Sequence, residues 1–440
     1  MKNSLVIMKL TLRILFRKGT VLSLLGLICG LSTLVFYLSR GDGLLTNELE
    51  IRISYSYYMS YAILSLSTIA LACFTIRSQI DAKNVHLLSS MPLDRKWIVA
   101  GQAMALMIVA GLAELILLGS LLVNSYVYSK SFTPEEKEQA SKKYLLSHRK
   151  VSPLYKNKRD IARAYAEKRE ISVEGIGGIA WYRLTRKAMR EQQLIEPGKS
   201  LSWEFDLGEQ PEVGENGELS LRFQRADKRE QVKGYFELSA EGYNLYFKKE
   251  IVANQYKHES FSIPLSSIPP NGRFVIKFTN TGQQASVVTR SGIYFSYQKG
   301  TLWSNLFKSF ITQFIHLSVT VLVGICAGIG LSFSVATFMV MMLFVMSSSQ
   351  GLFTVVMEGY GYMPVLDFWD KTGIFLLNSG MWMTKGLQPP DIVASMSSGL
   401  DVGLYELASN WLPSVVFYGI FAYILGTWLL SSKELDKVQK

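Results

Sequence analysis

Residues 53–76 read ISYSYYMSYAILSLSTIALACFTI, 24 positions without a charge, bounded by Arg52 and Arg77. An α-helix rises ~1.5 Å per residue, so about 20 apolar residues cross the ~30 Å hydrocarbon core of a bilayer. Four other blocks have the same character. Residues 20–39 form an uncharged run of 20, and residues 97–129 carry one charge, Glu114. Residues 309–357 hold 49 positions with no charge, long enough for two crossings, and GIGLSFS at 328–334 marks the break. Residues 407–432 are the last uncharged run, of 26. Five such blocks predict an α-helical polytopic membrane protein with six transmembrane helices.

Composition agrees. The chain has 440 residues, 49% of them hydrophobic and only 18% charged, against roughly 25% charged in a soluble protein. The net charge is +11, of which residues 130–308 supply +9, from 30 Lys/Arg and 21 Asp/Glu. No basic stripe is interleaved with aromatics and no zinc-ligand spacing occurs, so nucleic acid is not an expected partner. The excess charge reads as a solvated surface or as attraction to anionic lipid headgroups. Cys29, Cys73 and Cys326 all lie in apolar blocks, which excludes a disulfide framework for the polar insert. The first apolar block is followed by no small-residue cleavage site and reads as a span, not a cleavable leader.

Orientation follows from Lys/Arg in the short loops. Residues 1–19, 77–96 and 433–440 hold 5, 4 and 3 basic residues, 12 in all; residues 40–52 and 358–406 hold 2 each, 4 in all. The expected arrangement has both termini cytoplasmic in the inner (plasma) membrane and residues 130–306 extracytoplasmic. Within residues 1–19, Leu5, Met8, Leu12 and Leu15 recur at helical spacing beside Lys9, Arg13, Arg17 and Lys18. This predicts an amphipathic helix in the inner headgroup layer.

The insert changes period part-way. Residues 130–195 read as helical, with Thr133 capping a start at Pro134 and further helices over 158–169 and 179–192. From residue 200 the period becomes two. SLSWEFDL at 200–207, ELSLRFQ at 218–224 and RFVIKFT at 273–279 alternate strictly, and 234–239, 243–250, 259–264 and 292–297 are further candidates. Residues 200–298 therefore predict an antiparallel β-sandwich or jelly roll inside an α+β domain.

PGKS at 197–200 invites a phosphate-loop reading, but that motif needs a glycine where Gln193 stands. No other Walker-type loop exists in the chain. The informative segment is the loop after the second block, residues 77–102, RSQIDAKNVHLLSSMPLDRKWIVAGQ. Pro92 ends one helix and Trp97 anchors the next at the interface. With Leu87, Leu88, Ser89, Pro92, Leu93, Arg95 and Gly101, this loop resembles permease subunits of ABC-type exporters of the type 2 class. Gln102 stands where that family usually has lysine, and Asp81 is the acid nearest its usual glutamate.

The resemblance covers the six spans, roughly 260 residues, and not the insert. It implies that residues 20–129 form helices 1–3, with a cytoplasmic coupling loop at 77–96. Residues 307–440 form helices 4–6, with a re-entrant or short-helix segment at 358–406, where Pro364, Pro389 and Pro390 interrupt. Asp81, Leu87, Leu88, Ser89, Pro92, Leu93 and Arg95 would meet cytoplasmic ABC ATPase subunits. ATP and Mg would be bound by those partners, so no cofactor or metal and no catalytic residue is expected in this chain. A second copy or a related permease would complete the pathway, and the outer domain would bind substrate, an envelope protein or a glycan. Three rivals stay open: ATP-driven force transmission to an envelope partner, a membrane-anchored binding protein without transport, and an intramembrane enzyme. Glu114 is the candidate functional carboxylate inside a span. His316 reads as interfacial, near the outer end of the fourth span.

Overall fold

A computed structural model describes residues 2–40, 45–82, 94–137, 146–155, 157–172, 178–208, 216–224, 231–240, 243–253, 258–349, 368–384, 387–389, 392, 400–402, 408 and 412–438. The chain divides into two compact units. One comprises Met1–Leu145, Leu302–Phe353 and Leu376–Lys440; the other comprises Leu146–Thr301 and Thr354–Phe375.

The first unit is helical. Its elements are α1 (Lys2–Arg17), α2 (Thr20–Leu38), α3 (Leu45–Asp81) and α4 (Arg95–Ser129). After the second unit come α7 (Leu302–Gly330), α8 (Phe333–Ser348), α9 (Phe368–Thr384, shared between the units) and α10 (Leu412–Val438). Among the described residues, five helices are long and apolar enough to cross a membrane: α2, α3, α4, α7 and α10. The expected fifth span meets α8, which has 16 residues and rises ~24 Å. The break between α7 and α8 falls at Leu331–Ser332, inside the 328–334 stretch marked in the sequence.

Charge-free runs underestimate two helices. α3 begins at Leu45 because Glu48 and Arg52 neutralise each other, Arg52 Nε donating to Glu48 Oε2 at 2.8 Å. Arg52 Nη1 also donates to the Phe36 carbonyl at 2.8 Å, near the C-terminal end of α2 where carbonyls lack helical partners, and the guanidinium lies 4.2 Å from the Tyr128 ring centroid. α7 begins at Leu302, directly after a strand, and Lys308 in its second turn is paired with Asp401 at 2.7 Å.

Hydroxyls and amides on the helices turn inward. Ser56 Oγ donates to the Ser32 carbonyl at 2.6 Å, Ser120 Oγ to Ser32 Oγ at 2.8 Å, and Asn124 Nδ2 to Thr33 Oγ1 at 3.1 Å, joining α2, α3 and α4. Between α3 and α7 the contact is made by small residues. A Cβ added at Gly324 would meet Ala72 Cβ at 2.7 Å, and one at Gly328 would meet the Cys73 carbonyl oxygen at 2.8 Å.

α1 is the expected helix, with a different packed face. Ser4, Ile7, Thr11 and Leu15 are buried, while Leu5 is exposed and Met8 and Leu12 are partly exposed. The reason is Gly101 on α4, where a Cβ would lie 2.7 Å from both Ile7 Cβ and the Ser4 carbonyl oxygen. Gly19 then turns the chain into α2 with φ +70°, a conformation that L side chains resist. Gly101→Leu is expected to lift α1 from α4, measured as faster trypsin cleavage at Lys9 and Arg13 with α3 to α10 still intact.

The second unit holds β1 (Leu146–Val151), α5 (Lys158–Lys168), α6 (Gly178–Gln193), β2 (Leu194–Ile195), β3 (Ser200–Asp206), β4 (Asn216–Gln224), β5 (Val232–Ala240), β6 (Tyr243–Ala253), β7 (His258–Pro264), β8 (Arg273–Asn280) and β9 (Ser286–Thr301). One sheet runs β1-β9-β4-β7, with β2 also on β9; the other runs β3-β8-β5-β6; every pairing is antiparallel. Alternate residues of both sheets enter one core, including Trp203, Phe205, Phe236, Phe274 and Phe278 from one sheet and Leu221, Phe223, Ile293 and Phe295 from the other. Residues 130–195 contain the expected α5 and α6, but also the strand β1. At its start, Thr133 and Glu136 cap each other, Thr133 N donating to Glu136 Oε2 at 3.1 Å and Glu136 N to Thr133 Oγ1 at 3.4 Å.

The rim of the second sheet has an acid-sensitive contact. Asp206 accepts from the Gly208 backbone N–H at 2.9 Å and from Arg273 Nε at 2.9 Å, and these contacts hold its carboxyl below the ordinary aspartate range. A carboxyl depressed on folding contributes stability that is present above its unfolded value of ~3.9 and is lost as pH falls through the folded value. Asp206→Asn is therefore expected to flatten the fall of melting temperature between pH 5 and pH 3, read by melts of the full chain across that window, and to change nothing at pH 7 to 8 beyond the lost ion pair.

Candidate functional site

Two places carry the sequence-derived candidates. The first is the ends of the loop between α3 and α4. Leu87, Leu88, Ser89, Pro92 and Leu93 lie outside the described residues; Asp81 and Arg95 flank them. Asp81 closes α3 and pairs with Arg77 at 2.7 Å, an exposed i,i+4 bridge of the kind that adds little stability. Arg77 also reaches across, Nη1 donating to the Leu331 carbonyl at 3.1 Å in the α7–α8 break. Arg95 opens α4, and its Nη1 donates to the Ser431 carbonyl of α10 at 3.3 Å. Tyr423 Oη of α10 donates to the Lys96 carbonyl at 3.1 Å. Gln102, at the family's lysine position, is fully buried and donates through Nε2 to Gln79 Oε1 of α3.

The loop ends are thus tied to α10 and to the α7–α8 break, and one turn further along α4, Gly101 is the seat of α1. Asp81 and Arg95 do not meet each other: Asp81 pairs within α3, whereas Arg95 reaches α10.

The second place surrounds Glu114, which is 0% exposed in the middle of α4. Tyr57 Oη of α3 donates to Glu114 Oε1 at 2.8 Å. One turn on, Tyr61 stacks on Tyr57 with ring centroids 5.8 Å apart, and its Oη lies 2.7 Å from His316 Nδ1 of α7. His316 Nε2 lies 2.9 Å from the Leu387 carbonyl. A carbonyl can only accept, so Nε2 carries the proton and Nδ1 accepts from the tyrosine.

His316 is thus engaged through both ring nitrogens. It is fully buried, because α7 starts at Leu302 and carries it well inside the helix. Adjacent turns of α3 receive Glu114 and His316, at Tyr57 and Tyr61. Tyr57, Tyr61 and the Leu387 carbonyl were not singled out in the sequence. Their only sequence signal is the i, i+4 tyrosine pair on a span, which becomes legible once a carboxylate and an imidazole are known to face it.

Leu400, Asp401 and Val402 are also held on α7, Asp401 by its pair with Lys308. Asn305 Nδ2 donates to the Leu400 carbonyl at 2.6 Å, and the Val402 N–H donates to Asn305 Oδ1 at 2.8 Å. Around Glu114 the described residues offer hydrogen bonding and packing but no set of three His, Cys, Asp or Glu side chains that could hold a metal ion. PGKS at 197–200 forms the tight turn between β2 and β3: Gly198 has φ +75°, Lys199 N donates to the Glu196 carbonyl, and the Lys199 ammonium pairs with the Glu196 carboxylate.

Comparison of the chain with protein families, curated proteins and solved structures finds no match.

Proposed function

We propose that this chain is the transmembrane permease subunit of an ATP-driven ABC exporter of the type 2 class, worked by a separate cytoplasmic ATPase through the loop between α3 and α4. The observation that supports this reading is the anchoring of the loop's two ends. A load on residues 82–94 reaches α3 and α4 directly, α10 through Arg95 and Tyr423, and the α7–α8 break through Arg77. It reaches α1 through Gly101. A connector without a mechanical task needs only two of these helices.

On this reading both termini and the loop face the cytoplasm, residues 130–306 lie outside, α8 completes six spans, and two copies of the chain, or one with a related permease, work together. The outer domain is a jelly roll. Its support is the strand order: from β3 to β9 the chain crosses between the sheet of β3, β5, β6 and β8 and the sheet of β4, β7 and β9 at every step but the β5–β6 hairpin. It would present substrate, an envelope protein or a glycan to the complex.

A second reading, force transmission without transport, draws on the outward residues. Leu22, Leu27 and Leu34 of α2, Phe338, Met342 and Val345 of α8, and Phe417, Ile420 and Ile424 of α10 are exposed, while the hydroxyls of α2 to α4 bond within the chain. Such a face seals against lipid or a second copy more readily than it lines a polar path.

Both readings require the ATPase. Leu87→Asp with Leu88→Asp is expected to release an ATPase subunit that co-purifies with the tagged wild-type chain in mild detergent. If no ATPase accompanies the folded wild-type chain, both readings fail and a membrane-anchored binding protein replaces them.

A further inference from the structure

We infer that the groove between the start of α4 and the last turns of α10 binds one anionic phospholipid, its phosphate at Lys96 and an acyl chain along α10. The groove is lined by Asp94, Arg95, Lys96, Ile424, Thr427, Trp428 and Ser431. Its two walls differ in chemistry. The α4 wall carries the charges: Lys96 is exposed, with its ammonium 2.9 Å from Asp94 and 5.7 Å from the Trp97 ring centroid. Asp94, Arg95 and Lys96 together carry +1. The α10 wall is uncharged, setting Ile424 and Trp428 beside Thr427 and Ser431, and the groove continues into an exposed apolar stripe of Phe417, Ile420, Phe421, Ile424 and Trp428, spaced three and four residues apart.

One occupant fits both walls. An acyl chain covers the stripe, which water would otherwise wet, and a negatively charged headgroup meets the cationic end, where Trp97 and Trp428 mark the depth of a membrane–water boundary. A zwitterionic phospholipid satisfies the stripe but brings its own ammonium to Lys96. A soluble anion satisfies Lys96 and leaves the stripe bare. The ion pair with Asp94 does not forbid the site, because an exposed ammonium bridging two anions keeps its charge and this pair is weak.

The inference stands on the groove and its charges and does not depend on an ATPase. The test is native mass spectrometry of the detergent-solubilised full chain, titrated with phosphatidylglycerol and with phosphatidylcholine of the same acyl chains. Wild type is expected to retain phosphatidylglycerol preferentially. Lys96→Glu is expected to weaken that retention about thirtyfold, given about 1 kcal/mol per basic residue near anionic lipid and a change of two charge units. Lys130→Glu alters net charge equally at the far end of α4 and is expected to leave retention unchanged. Equal retention of the two lipids, or equal loss in both variants, overturns the site. Should Lys96→Glu fail to fold, Lys96→Gln replaces it, with a smaller loss expected and the same overturning results.

Discussion

Arg52→Leu is expected to destabilise the helical unit by about 3–5 kcal/mol, the largest single-residue effect in the chain. Three losses coincide. The buried Glu48 carboxylate loses the guanidinium that offsets its charge, the Phe36 carbonyl loses a donor near a helix end, and the Tyr128 ring loses the cation over its face. Breaking one side of a buried pair costs more than the pair itself contributes, because the remaining charge stays desolvated. Glu48→Gln combined with Arg52→Leu is therefore expected to recover at least half of the loss. Thermal melts of wild type, Arg52→Leu and the double variant in one detergent decide the matter. A wild-type melting temperature for Arg52→Leu alone would mean that this pair is solvated in the protein.

The second large effect is at the α3–α7 contact. Gly328→Leu is expected to cost about 3 kcal/mol, toward the upper end of overpacking penalties. The atoms in the way include backbone: the Cys73 carbonyl oxygen at 2.8 Å and its Cα at 3.1 Å, besides Ile76 Cγ2 at 2.7 Å. Backbone cannot rotate aside, so the helices must separate along the seam that also holds Gly324 against Ala72. Inside a bilayer such close approach replaces the hydrophobic drive that lipid removes. Gly119→Ala, where an added Cβ meets nothing within 4 Å, is the matched control and is expected to stay within ~0.5 kcal/mol of wild type. If both variants melt alike, the seam tolerates opening and the contact is not what holds α3 to α7.

Much of this architecture is legible in the sequence, and the failures share a cause. Uncharged runs locate α2 to α4, α7, α8 and α10 and even the α7–α8 break, because desolvating a lone charge is costly enough to empty a span of them. The same rule cuts α3 and α7 short, since Glu48, Arg52 and Lys308 are charges neutralised by partners that sequence scanning cannot supply. Period-two patterning finds β3 to β8 but misses β1. Its sequence LSHRKV has no alternation, and its strand conformation comes from pairing with β9. β9 itself is recognised only over 292–297, because Thr289, Arg290 and Ser291 interrupt the pattern near the irregular register opposite Leu221 and Phe223. At the candidate site Glu114 stands out alone in the sequence, whereas its companions are 57 residues away at Tyr57 and, through Tyr61 and His316, across a separation of 255. Proximity of that kind is a product of the fold.

The inward-facing hydroxyls have a mechanical consequence. Hydrogen bonds with defined geometry act as bolts: sliding α2, α3 or α4 by one turn would strand Ser32, Ser56, Ser120, Thr33 and Asn124 in an apolar interior, each at the cost of an unmade bond. These three helices must then travel as a single block. α10 lies against α7 at Gly419 and Gly426 with room to spare, since a Cβ added at either would meet α7 atoms only at 3.5 to 3.6 Å, a surface that forfeits little when it shears. Its polar attachments to α4 are gathered at one end, at Arg95 and Lys96. The described helices thus combine a keyed block with a smooth bearing, and α10 can rock about its fastened end at the cost of bonds such as that from Tyr418 Oη to the Trp382 carbonyl.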